Sequence, residues 1–282
     1  MPPTRKIEIA GGQVTVGGDS PLLLIAGPCV IENEETPLRV AEAVKRMADR
    51  LGIGYVFKSS YAKDNRSSVH HYYGPGLEKG LRILEKVKRE VGVPVLSDVH
   101  YPDEVPAAAE VLDVLQIPAF LSMQTRLALT VGKTGKPVNI KKGQFLAPED
   151  MAKVAAKIES TGNHNLLLTE RGSFFGYHNL IVDMRSFPIM RKTGYPVIFD
   201  VTHTVRKYGI PSSDPRGGEP EFVPFLARAG VAAGVDGVFI ETHPDPPSAL
   251  SDAYSMWPLD RLEKLLEAIV RIHELVRSLP EP

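Results

Sequence analysis

Short apolar or β-branched runs alternate with segments of helical period from residue 22 to the C-terminal end. Eight of these runs predict strands: 22–27 (LLLIAG), 55–59 (YVFKS), 94–99 (PVLSDV), 113–117 (DVLQI), 137–141 (PVNIK), 165–169 (NLLLT), 196–201 (PVIFDV) and 237–241 (GVFIE). Each is followed by a stretch that can form a helix. In the last, Pro258 suits a first helical turn, and Leu259, Leu262, Leu266, Ile269, Ile272, Val276 and Leu279 recur at steps of three and four, which predicts one apolar face. Thr36 and Pro37 open the first helix, with Val44, Met47, Ala48 and Leu51 inward and Lys45, Arg46 and Asp49 outward, and Gly52 and Gly54 end it. The helices after the third and sixth strands are interrupted by Pro102, Pro106 and Pro188. Residues 7–16, IEIAGGQVTV, alternate about a Gly-Gly pair and predict a hairpin within a 1–20 extension that closes the bottom of the structure. Eight successive strand–helix units predict an α/β fold, a single (β/α)8 TIM barrel spanning 1–282 as one domain, over an open doubly wound sheet.

With 282 residues, 43% of them apolar, the chain can bury one large core. Lys and Arg number 33 against 34 Asp and Glu, a net charge of -1, so no global field draws the protein to nucleic acid or to an anionic membrane. The N-terminal MPPTRKIEIAGG lacks a secretion-signal core and no run approaches a membrane span, which points to the cytoplasm. A single cysteine, Cys29, suits a reducing compartment.

Chemistry enters at the strand ends. In order they deliver Cys29 with Glu32, then Lys58, Asp98, Gln116, Lys141, Arg171, His203 and Glu241. In a barrel these ends form one ring at the mouth, where such folds carry catalytic groups. Any one of them alone reads as a solvated loop charge; together they predict a site. The cations Lys58, Lys63, Arg66, Lys141, Lys142 and Arg171 suit a substrate bearing phosphate and carboxylate groups. Gly74, Pro75 and Gly76 match neither a Walker nor a dinucleotide fingerprint, which argues against a nucleotide. Cys29, His203, Glu241 and Asp252 could hold a divalent transition metal, although His243, Asp236 and Asp245 compete as ligands and a lone Cys is commonly a small buried hydrophobe.

The segments AGPCVIE, FKSSYAKDNRSS, GPGLEKG, SDVH, QIPAF, NIKKGQF, ERGSFFGYHNLIVDM, PVIFDVTH, FIETHPDP and LSDA resemble, in order and wording, the 3-deoxy-D-manno-octulosonate 8-phosphate synthases, also called 2-dehydro-3-deoxyphosphooctonate aldolases, over residues 20–275. The resemblance implies a barrel, assembled as a homotetramer, that condenses phosphoenolpyruvate with arabinose 5-phosphate for lipopolysaccharide. It implies that Lys58, Lys63, Lys141 and Arg171 grip phosphoenolpyruvate and that Asn65, Arg66 and Ser67 hold the pentose phosphate. Asp98 would lie by the aldehyde and Gln116 would line the phosphoenolpyruvate pocket. AGPC, where metal-free members resemble AGPN, implies the metal-dependent form. Cys29, His203, Glu241 and Asp252 would then be ligands for zinc, iron, manganese or cobalt.

Two positions depart from that family. FLSMQT places Met123 where members carry an arginine thought to reach a neighbouring subunit's sugar phosphate. If residues 123–131 form a helix, Arg126 shares the face of Met123 and can replace that arginine across an interface. KDNR in place of KANR puts Asp64 beside the phosphate-binding trio, where it is expected to point outward. Two other readings compete: a heptulosonate 7-phosphate synthase using erythrose 4-phosphate, which typically has KPRTS where this chain has KDNRSS, and a Schiff-base aldolase using Lys141.

Overall fold

A computed structural model describes residues 3–65, 68–174 and 179–280. An antiparallel hairpin, β1 (Ile7–Ile9) and β2 (Val14–Val16), precedes β3 (Leu23–Gly27), α1 (Glu35–Leu51), β4 (Gly54–Lys58), α2 (Leu77–Val91), β5 (Val95–Asp98) and α3 (Val105–Val111). The chain continues through β6 (Val114–Ile117), α4 (Thr125–Gly132), β7 (Val138–Lys141), α5 (Met151–Glu159), β8 (Leu166–Glu170) and a small ribbon of β9 (Ser173–Phe174) with β10 (Leu180–Ile181). It ends with α6 (Ser186–Arg191), β11 (Val197–Asp200), α7 (Val201–Thr204), α8 (Val223–Ala232), β12 (Gly237–His243), β13 (Trp257–Pro258) and α9 (Leu259–Ser278). The parallel strands β3 to β8 and β11 pair in sequence, and β12 pairs with both β3 and β11, so the sheet closes into the expected (β/α)8 barrel.

Period-two alternation explains how the barrel is filled. Leu24, Phe57, Leu115, Ile140, Leu168 and Phe199 point outward and belong to the large core under the helices. Ile25, Val56, Leu96, Val114, Leu167, Ile198 and Phe239 point inward, where Ile7, Ile9, Val14 and Val16 of the hairpin join them in one cluster. The hairpin therefore plugs the lower end, as its alternation predicted. Its turn runs through Ala10, Gly11 and Gly12 at positive φ, which the two glycines adopt without a Cβ penalty.

The prolines behave differently from the sequence expectation. Pro106 and Pro188 lie in the first turns of α3 and α6, where a missing N–H breaks no intrahelical bond, so they shorten these helices without interrupting them. Pro258 is extended and immediately precedes α9, so the helix begins one residue later than the sequence suggested. Leu262, Leu266 and Ile269 are fully buried, whereas Leu279 stands exposed past the helix end. A helix of 20 residues is about 30 Å long, against about 17 Å for a five-residue strand, so α9 overshoots the wall it packs on. Among the described residues no helix is long and apolar enough to cross a membrane.

Candidate active site

The same alternation that buries Val56, Leu96, Val114, Ile198 and Phe239 brings the residue two positions later to the barrel mouth: Lys58, Asp98, Gln116, Asp200 and Glu241. Lys58, Asp98, Gln116, Lys141 and Asp200 line one cleft at this face, joined by His203 from α7 and by Lys63, Asn65, Arg171 and Asp252 from the loops.

One side of the cleft gathers buried cations. Lys141 Nζ lies 3.3 Å from the centre of the Phe239 ring and is hydrogen-bonded to Asp200. Burial pulls the Lys141 pKa down, Asp200 opposes it, and Arg171 and Lys58 add to the fall, leaving it at about 8. Burial would raise the Asp200 carboxyl, but His203 and Lys141 outweigh it and hold the group well below the carboxylate range. Arg171 is buried, and its Nη1 has no hydrogen-bond partner among the described residues. Its guanidinium lies 5.6 Å from the Tyr208 ring. A buried cationic donor with an unused N–H is an anion site in waiting. Glu170 Oε1 fixes the turn that presents Arg171 by accepting from the backbone N–H of Arg171 at 2.8 Å and of Gly172 at 2.7 Å.

Across the cleft Asp98 accepts from Ser60 Oγ at 2.6 Å and from Gln116 Nε2, with Lys63 Nζ 3.8 Å away. Burial opposes its charge, yet Lys63, Lys58, His100 and the Gln116 hydrogen bond hold the Asp98 pKa far below its ordinary value. Lys58 donates to Glu241 Oε1 at 2.6 Å and to the Cys29 carbonyl at 2.9 Å. The pair is 1% exposed on both sides, so removing either partner would strand a buried charge.

Cys29, Glu241 and Asp252 meet at the mouth, with one donor atom from each lying within 4.8 Å of the others. Cys29 Sγ is 3.4 Å from Asp252 Oδ2, and His203 Nε2 is 3.6 Å from Glu241 Oε2 and 3.7 Å from Asp252 Oδ2. Ligands bound at about 2.0–2.3 Å around a tetrahedral ion lie about 3.3–3.8 Å apart, which these three separations meet; His203 approaches two of the other three residues and lies outside the set whose donor atoms are all within 4.8 Å of one another. Burial and then Asp252 and Glu241 push the Cys29 thiol up to about 12, against the opposing pull of Lys63 and Lys58. Asp252 occupies the left-handed region at φ 49°, the sort of backbone strain found at functional positions. The competing ligands lie elsewhere. Asp236 sits at the barrel foot bonded to Thr4, Arg191 and the Val197 N–H, Asp245 is exposed, and His243 faces Glu32 at 3.6 Å.

Several expectations require correction. Lys142, counted among the cleft cations, follows Lys141 by one residue and so points to the opposite face, where its Nζ donates to Ser173 Oγ at 2.8 Å and the Leu146 carbonyl at 3.1 Å. Met123 lies outside α4, because Gln124 is extended and the helix starts at Thr125. Met123 and Arg126 therefore share no helical face, and Arg126 is exposed on α4, outside the cleft. Asn65 is exposed at the rim, and Arg66 and Ser67 lie outside the described residues. Asp64 is exposed and accepts from the Tyr101 hydroxyl, pointing outward as expected. Sequence reasoning overlooked Asp200, Gln144, Arg206 and Tyr208, all of which line the cleft. Asp200 was findable, being the last residue of its strand and two positions beyond inward Ile198.

A family model described as the DAHP synthetase I family matches residues 4–278. Curated relatives named 2-dehydro-3-deoxyphosphooctonate aldolase include one from Citrifermentans bemidjiense, 56% identical over 98% of this chain and 100% of its own. Others come from Geobacter sp. strain M21, 55% identical over 98% of this chain and 100% of its own, and from Syntrophotalea carbinolica, 54% identical over 99% of each.

Proposed function

Because the chain belongs to the DAHP synthetase I family, and within it to the 2-dehydro-3-deoxyphosphooctonate aldolases, we propose that it condenses phosphoenolpyruvate with D-arabinose 5-phosphate and water. The products are 3-deoxy-D-manno-octulosonate 8-phosphate, for lipopolysaccharide biosynthesis, and inorganic phosphate. The observation that carries this reading to the site is the buried Arg171 guanidinium, whose Nη1 has no hydrogen-bond partner among the described residues, together with the buried Lys141 ammonium. Two cations so placed attract a ligand with more than one oxyanion.

In this reading Lys141 and Arg171, with Lys58 and Lys63, hold the phosphate and carboxylate of phosphoenolpyruvate, and Gln116 lines the same pocket. Asn65, Arg66 and Ser67 hold the pentose phosphate, and Asp98 faces the aldehyde. The enol carbon, C3, bonds to the aldehyde carbon, whose oxygen takes up a proton. Water adds at C2, and phosphate departs by carbon–oxygen cleavage. Cys29, His203, Glu241 and Asp252 hold a divalent transition metal, zinc, iron, manganese or cobalt, which supplies Lewis acidity toward the aldehyde or a more acidic water. The thiolate and imidazole disfavour magnesium, which prefers oxygen ligands. The enzyme works in the cytoplasm as a homotetramer, in which Arg126 reaches a neighbour's sugar-phosphate site.

Phosphate release from phosphoenolpyruvate, with arabinose 5-phosphate and separately with erythrose 4-phosphate, tests the reading. Strong preference for the pentose, lost on chelation and restored by a transition metal, is expected. Equal or reversed preference would overturn it, and trapping of pyruvate on Lys141 by borohydride would establish Schiff-base chemistry instead.

A further inference from the structure

Four buried side chains on adjacent strands form an unbroken line of hydrogen bonds that ends on Asp98. Thr169 Oγ1 donates to Asn139 Oδ1 at 2.6 Å, Asn139 Nδ2 donates to Gln116 Oε1 at 2.7 Å, and Gln116 Nε2 donates to Asp98 Oδ1. Thr169 and Asn139 are fully buried and Gln116 is 2% exposed, so bulk water does not reach the bond between Thr169 and Asn139. The barrel dictates the geometry. Asp98 lies opposite Gln116 in the β5–β6 ladder and Gln116 opposite Asn139 in the β6–β7 ladder, while Thr169 reaches Asn139 diagonally from β8.

The line has a direction. Asp98 is a carboxylate and can only accept, so Gln116 must turn its NH2 toward it and its carbonyl toward Asn139. Asn139 must then offer its own NH2 to that carbonyl, leaving Oδ1 for a donor. The Thr169 hydroxyl is that donor. Inverting Asn139 would set its oxygen against the Gln116 carbonyl, and inverting Gln116 would set its oxygen against the Asp98 carboxylate and its NH2 against that of Asn139. Asp98 therefore sets the polarity of the line, and the Thr169 hydroxyl, turned to donate, satisfies its last acceptor and ties both amides in the orientation that serves Asp98.

We propose that Thr169 and Asn139, neither of which lines the cleft, are positioning residues that hold Gln116 and Asp98 in their working orientation through this polar relay. The inference rests on the activity proposed above. Thr169 and Asn139 touch no reacting atom; they remove the alternative amide orientations in which Asp98 loses a donor and Gln116 turns away from it.

The Thr169→Ser and Thr169→Ala variants separate relay from packing, because both lose the methyl and only alanine loses the donor. In the metal-loaded enzyme Thr169→Ala is expected to lower kcat about tenfold, on the scale of one buried acceptor left unsatisfied, with both KM values changing less than about threefold. Thr169→Ser should retain kcat within about threefold of the wild type. Equal losses in the two variants, or a loss confined to KM, would overturn the relay. Exchange of the Gln116 and Asn139 side-chain NH2 protons, measured by NMR without substrate, gives a readout independent of turnover. It should quicken in Thr169→Ala and not in Thr169→Ser, and unchanged exchange in both would also overturn the relay. A wild type inactive on the two proposed substrates would instead sink the proposed function, leaving the exchange measurement to decide the relay.

Discussion

Replacing Asp200 with asparagine tests the electrostatic poise of the oxyanion side. Lys141 is fully buried against Phe239, and its pKa of about 8 balances burial, Arg171 and Lys58 on one side against the Asp200 carboxylate on the other. At pH 7.5 a group of pKa 8 is about three-quarters protonated. Asparagine keeps the shape and can accept one hydrogen bond but loses the charge. A charge-assisted bond contributes about 1.5–3 kcal/mol, and one pKa unit corresponds to about 1.4 kcal/mol, so the Lys141 pKa should fall by about one to two units. The sign follows from the charge: an ammonium that loses its counter-ion releases its proton at lower pH. Taking about 6.5 as the new midpoint, only about a tenth of Lys141 remains charged at pH 7.5. The assay is kcat/KM for phosphoenolpyruvate from phosphate release between pH 5.5 and 9.5, with saturating metal. The wild type should lose activity tenfold per pH unit above about pH 8, and Asp200→Asn should show the same limb displaced to lower pH. Asp200 also caps α7 and lies 2.8 Å from His203 Nδ1, so the variant's profile will be lower at every pH. Position, not height, is the test: a limb unmoved by the substitution would refute Lys141 as the titrating group.

Arg171→Ala removes a buried guanidinium and should reduce kcat/KM for phosphoenolpyruvate about tenfold or more, measured at saturating pentose phosphate; an unchanged value would remove Arg171 from the site. Chelation should abolish activity, and Cys29→Ser should bind zinc or cobalt more weakly in competition with a chromophoric chelator, whereas full turnover in the chelated wild type would exclude the metal-dependent form. Cys29→Asn, the residue of metal-free relatives in this family, should lose metal affinity and keep some metal-independent turnover. Arg126→Ala should raise KM for arabinose 5-phosphate several-fold and leave that for phosphoenolpyruvate unchanged if it reaches a neighbouring subunit, and no change in either constant would leave Arg126 as surface.

Strands were legible because alternation and run length are local properties: Val56 then Lys58, Leu96 then Asp98, Val114 then Gln116 each carry the inward face on one short segment. The same rule separates Lys141 from Lys142, which composition alone had grouped. Helix starts were less legible. Whether Pro106 or Pro188 breaks or begins a helix depends on where the preceding loop leaves the chain, and Gln124 is extended, so the condition that residues 123–131 form one helix is not met. Tyr208 and Arg206 lie in a long loop after α7 with no periodic signal, so nothing in their spacing marked them as cleft residues.

By itself the sequence determined the strand–helix order, the inward face of each strand and the polar residue at its end, since these depend on neighbours two to four positions away. Closure of the barrel decided the pairings. Lys58 meets Glu241 across 183 positions and Cys29 meets Asp252 across 223, contacts that no local period encodes. Tertiary structure also set the chemistry of the groups it joined. Burial lowers Lys141 and raises Cys29, while neighbouring cations hold Asp98 ionised, because desolvation and Coulomb interaction depend on which charges the closed fold brings within a few ångströms.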